Sequence, residues 1–141
     1  MADLTQTPAN VAVGSKIAVT LVVAGEAIVQ GEPVYHSSLD SYYYKADADA
    51  VASADVKGIA VTPAGASGDR FVLAANKSGQ TGDINLGATL TQGETYVVST
   101  NSGKIAPIGD LTTGDYVTYL GVASSSTILK LRSNATGVAK P

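Results

Sequence analysis

Cysteine is absent from the 141 residues, so neither a disulfide framework nor a thiolate zinc site can form in this chain. Charge is scarce as well. Only 15% of residues are Asp, Glu, Lys or Arg, and the formal net charge is −3. That balance lacks the basic footprint of a nucleic-acid binder and the polybasic stretch of a membrane anchor, so neither partner is expected. The longest uncharged apolar run, "IAVTLVVAG" (residues 17–25), is far too short to span a bilayer. The N-terminal stretch "MADLTQTPANVAVG" has no charged segment followed by an apolar one, so no secretory signal is expected. These absences predict a soluble chain synthesised in the cytoplasm. A chain of this length is expected to form one compact domain with a real core.

What the chain has is punctuation. Fifteen glycines, five prolines and many Ser and Thr residues break it at short intervals, the pattern of short strands joined by turns. Alternation agrees. In "TILKLR" Leu129 and Leu131 share one face and Lys130 and Arg132 the other, and in "DRFVLA" Phe71 and Leu73 oppose Arg70 and Val72. "KIAVTLVV" (residues 16–23) is apolar on both faces, as expected of a strand sandwiched between layers. Asp follows Gly at 68–69, 82–83, 109–110 and 114–115, good chemistry for tight turns. The expected fold is all-β, a compact sandwich or barrel.

One stretch departs from this pattern. "ADADAVASADVKG" (residues 46–58) is alanine-rich, and Asp47 or Asp49 could cap a short helix near residues 47–56 that ends at Gly58. Asp47, Asp49 and Asp55 invite a calcium reading. An EF-hand-type loop, however, wants an acid or amide, a glycine and a glutamate where this chain has Val51, Ala52 and Gly58. No metal or cofactor is expected. No catalytic residue is expected either: His36 is the only histidine, and its closeness to Ser37, Ser38 and Asp40 in sequence says nothing about a triad assembled in space.

The chain also repeats itself. "GEAIVQGEPVY" (residues 25–35) aligns with "GATLTQGETYV" (residues 87–97), and at nearly the same spacing "KGIAV" (57–61) falls opposite "LGVAS" (120–124). Two matches at nearly one spacing predict two related β units, with Gly31 and Gly93 permitting equivalent hairpin turns at positive φ. The expected layout is an extended N-terminal arm over residues 1–14, a β domain over 15–132 with internal repeats at 25–75 and 87–132, and a tail over 133–141.

"GETYVVSTNSGKIAPIGDLTTGDYVTYLGVASSSTILKL" (residues 93–131) resembles a module common in bacteriophage virion proteins. The first half, "GEAIVQGEPVYHSS" through "KGIAVTPAGASGDRFVLA", is similar to small proteins encoded beside the phage major capsid protein, the head-decoration or cement proteins. The resemblance covers nearly all of the chain after residue 14. It implies a β fold, self-association (often as a homotrimer at local threefold positions), binding to the major capsid protein on the virion surface, and no catalysis. The family shades into fibre and baseplate modules, so the alternative is a receptor- or glycan-binding module of a tail fibre or baseplate.

Two features are candidate contacts with the capsid or another subunit. "SYYYK" (residues 41–45) places Tyr42, Tyr43 and Tyr44 in a row, so at least one faces outward if the segment is extended. The bland alternative is an outer tyrosine that covers neighbouring side chains. The second feature is the arm, where Leu4, Pro8, Val11 and Val13 are its apolar residues. It is expected either to be disordered or to add to a neighbour's sheet edge, leaving the core unchanged if it is removed.

Overall fold

The structure, a computed structural model, describes residues 2–141. It is all-β, with eleven strands in two antiparallel sheets. The strands are β1 (Val11–Val13), β2 (Ile17–Val23), β3 (Pro33–His36), β4 (Tyr43–Lys45), β5 (Val56–Ala60) and β6 (Arg70–Asn76). They continue as β7 (Gly82–Leu86), β8 (Thr95–Val98), β9 (Ile105–Pro107), β10 (Tyr116–Ala123) and β11 (Ile128–Ala139). The N-sheet has the order β2-β6-β5-β3-β4 and the C-sheet the order β1-β7-β11-β10-β8-β9. Leaving β1 aside, the two orders are the same order, written first with β2 to β6 and then with β7 to β11.

The equivalence extends to single residues. Val34, Tyr35 and His36 face Lys45, Tyr44 and Tyr43, and the equivalent Tyr96, Val97 and Val98 face Pro107, Ala106 and Ile105. Val34 faces Gly58 and Tyr96 faces Gly121, and in both ladders one residue is then skipped. The skipped residue is exposed Lys57 in one unit and buried Leu120 in the other. The two Gln-Gly-Glu turns match as well. Gly31 has φ +92 and Gly93 φ +84, the left-handed region that glycine alone enters freely. Gly31 N–H donates to Ala60 at 2.7 Å and Gly93 N–H to Ala123 at 2.8 Å. The repeated words therefore mark two copies of one β unit, longer than the sequence match itself.

Each unit encloses apolar side chains of its own. Alternation in β11 buries Leu129 and Leu131 in the larger core with Ile84, Leu86, Tyr96, Ile105 and Leu120. Ala46, Ala48, Val56, Ile59 and Ala74 of the first unit close that core from the other side. Phe71 and Leu73 turn to a smaller core with Ala24, Ile28, Val34, Ala60 and Ala64. The N-sheet curls around it until Ala24, just past β2, bridges Tyr43 of β4.

Four expectations are corrected. The arm is not free: β1 pairs with β7 (Val11 opposite Leu86, Val13 opposite Ile84), and Leu4 N–H donates to Ile105 at 2.8 Å. The Gln6 amide bridges the carbonyls of Gly31 and Leu86, both at 2.9 Å, and so ties the two units together. Residues 133–139 are no tail, because β11 runs on to Ala139 beside β10. The short helix expected near residues 47–56 is absent: residues 48–54 form bends and turns, and β5 begins at Val56. The Asp47 carboxylate accepts from Asp49 N–H and Ser53 Oγ, and long-range bonds from Ala48 to Ser99 and from Tyr116 to Ala48 hold the backbone open, overriding alanine propensity. Finally, β2 is an edge strand with an exposed middle, not a sandwiched one.

Candidate contact surface

The sharpest difference between the two units lies at the tip of one hairpin. Residues 37–42 join β3 to β4, and the equivalent residues 99–104 join β8 to β9. Ser37 N–H donates to Tyr42 (2.9 Å) and Ser99 N–H to Lys104 (3.0 Å), so both tips close the same way. Ser41 and Gly103, again equivalent, both have positive φ, +65 and +75. A serine there accepts a strain that glycine avoids, and such a conformation persists only where its surroundings fix it. Here His36 Nε2 lies 3.0 Å from the Ser41 carbonyl, and Tyr42 N–H donates to Asp40 Oδ1 at 2.9 Å.

The two tips present different side chains. Leu39 N–H is held by Ser37 Oγ at 3.2 Å, and its side chain is 96% exposed. The equivalent Asn101 N–H is held by Ser99 Oγ at 3.0 Å, and its amide donates to Asp3 of the arm at 2.7 Å. One tip is thus tied down by the chain's own arm, while the other carries a leucine into solvent. Beside Leu39, a hollow of about 490 Å³ is lined by Tyr35, His36, Ser38, Ala52 and Asp55. A second hollow of about 260 Å³ shares Ala52 and Asp55 and adds the exposed Val51.

The tyrosine run supports this tip more than it forms a surface. Tyr43 is half-buried, with its ring edge-on to Phe71 at 6.3 Å and tilted against His36 at 4.8 Å. Tyr44 is half-buried, stacks on Tyr35 at 6.0 Å, and donates its hydroxyl to the Asp40 carboxylate. That bond pushes the Tyr44 phenol up to about 12 and holds the Asp40 carboxyl below its usual range. Tyr42 is the one exposed tyrosine of the three.

The arm residues lie elsewhere, along the C-sheet. Leu4 packs against the larger core, Pro8 opens a single 3-10 turn and is half-buried, and Val11 is half-buried in the β1–β7 ladder; only Val13 is exposed. The structure therefore does not bring the two candidate sets together. Leu39 and Val51 escaped the sequence reading, although a lone leucine between Ser38 and Asp40 in a polar turn is a readable signal.

A wider groove of about 710 Å³ crosses the C-sheet and is lined by Tyr119, Val122, Thr95, Lys130, Arg132 and Asn134. Lys130 is paired with Asp83 at 2.6 Å, which lowers the Asp83 pKa, whereas Arg132 has no ion pair among the described residues. Among the described residues no cluster of three or more His, Asp or Glu side chains could hold a metal ion. Nor, among the described residues, is any helix long and apolar enough to cross a membrane. Comparison with protein-family models, with curated proteins and with solved structures finds no match to this chain.

Proposed function

We propose that this protein is a phage head-decoration protein that binds the major capsid protein on the outside of an assembled capsid and stabilises it, as a homotrimer on the virion surface. The observation that carries this reading is the Leu39 tip. A leucine held out at 96% exposure on a turn fixed by its own hydrogen bonds suits insertion into a partner's pocket, because little ordering entropy remains to be lost on binding. Duplication of one β unit, with one tip tied by the arm and the other left outward, supports a structural role. The virion-module resemblance of residues 93–131 supports the phage setting.

A second reading rests on the C-sheet groove. The exposed Tyr119 ring, the Arg132 guanidinium and the side chains of Thr95 and Asn134 are the chemistry that recognises a sugar, as a fibre or baseplate module does. Cryo-microscopy of heads separates the two. Threefold density on the capsid is expected, with the Leu39 tip against the major capsid protein. Density on the tail alone would replace decoration with the fibre reading.

A further inference from the structure

We propose that the free edge of β2 pairs antiparallel with β2 of a second copy of this chain, across a two-fold axis centred on Thr20. The argument begins with the duplication. In the second unit, β7 has a strand on each side, β11 and β1. Its equivalent in the first unit, β2, has only β6. One edge of the repeated unit is thus covered by a short apolar strand, and the same edge of its twin is left open.

The open edge has outward-facing backbone groups. Val61 N–H donates to the Val72 carbonyl and Val72 N–H to Thr62 Oγ1, so Val72 faces away from β2. Its neighbours Phe71 and Leu73 must then face β2, opposite Val22 and Thr20. Alternation leaves the N–H and C=O groups of Val19 and Leu21 directed at the free edge. Their side chains are 55% and 59% exposed. Edges like this are normally blunted by a charge, a proline or a bulge, and the seven residues IAVTLVV have none of these. The edge is closed at its two ends: beyond Val23, where Gly25 N–H donates to Tyr43, and just before β2, where Asp83 N–H of β7 donates to Ser15.

Charge fits a second copy as the occupant. Lys16 and Lys77 lie together at the start of β2, whereas at its end Asp69 adjoins Arg70 and Glu26 is paired with Lys45, so that end is charge-balanced. Antiparallel self-pairing sets the lysine end of each copy against the charge-balanced end of the other, keeps the two lysine pairs apart, and places Val19 opposite Leu21 twice. The contact is two-fold, so it joins one trimer to the next rather than building the trimer. It stands or falls independently of capsid binding.

Because the chain has no cysteine, one introduced thiol reports on one site. Two Thr20 residues at a non-hydrogen-bonded position stand about 4.5 Å apart between Cα atoms, within disulfide reach. Full-length T20C under mild oxidation is expected to form a linked dimer at least about tenfold faster than S78C, a control in an exposed turn, as a held pair raises effective concentration. Adding V19K and L21K to T20C sets lysine opposite lysine and is expected to return the rate to the control level. Linkage of T20C no faster than S78C, or unchanged by the two lysines, overturns the proposal.

Discussion

Val29 and Thr91 occupy the same position in the two β units, but Val29 N–H donates to the Glu32 carboxylate at 2.6 Å and Thr91 N–H to the Tyr96 phenol at 2.9 Å. One orphan turn donor thus has two solutions, a carboxylate in one unit and a phenol hydroxyl in the other. Glu32 is buried, and burial raises its pKa despite the Val29 bond and the nearby Lys45 and Lys104 charges. A carboxyl raised on folding contributes stability below its unfolded pKa, and that contribution is lost as pH rises through the folded value. Glu32→Gln keeps an oxygen for Val29 without the charge. Its melting temperature is therefore expected to gain on wild type as pH rises above the ordinary glutamate range, where the raised carboxyl titrates. A pH-independent difference in thermal melts would refute this.

Gly31 and Gly93 share a backbone conformation but differ in surroundings. A Cβ on Gly93 meets nothing within 4 Å, whereas one on Gly31 meets Gln6 Nε2 at 2.6 Å and Val11 Cγ2 at 3.1 Å. Gly93→Ala is expected to cost only the left-handed penalty, about 1–2 kcal/mol. Gly31→Ala adds displacement of the arm and is expected to cost more. Chemical denaturation of both variants checks the order.

The arm is a structural tie between units. Gln6→Ala removes two hydrogen bonds to main-chain carbonyls, each worth about 1 kcal/mol. A drop of several degrees in melting temperature is expected, at about 2–4 °C per kcal/mol for a chain of this size. Deleting residues 2–13 is expected to cost more still, because β1, Leu4 and Gln6 leave together. An unchanged melting temperature after that deletion would show the arm to be dispensable.

The sequence made the repeat legible because the Gln-Gly-Glu turn needs glycine at positive φ in both copies, and that need preserves a readable word. The strands of β6 and β11 were legible by alternation, since one face is buried and the other wet. Three features were hidden for physical reasons. Residues 47–56 have helical composition, but long-range bonds at Ala48 and Thr118 decide their path. The run at residues 17–23 has the composition of a buried strand, yet sheet order places it at an edge, and no local pattern encodes order. The arm looked unable to order itself because its partners, Ile105, Gly31 and Leu86, lie far along the chain. Of the candidate contacts, Tyr42 and Val13 proved exposed, while the Leu39 tip became visible only by comparing the two units in space.

The central claim is that the Leu39 tip carries capsid binding. The most direct measurement is co-sedimentation of the purified protein with phage heads built from its proposed partner, a major capsid protein, for wild type and Leu39→Glu together. The account predicts that wild type pellets with the heads and raises their melting temperature, and that Leu39→Glu remains folded but binds at least about tenfold more weakly, as loss of a central apolar anchor implies. Wild type that stays in the supernatant, or Leu39→Glu that pellets as wild type does, would contradict it.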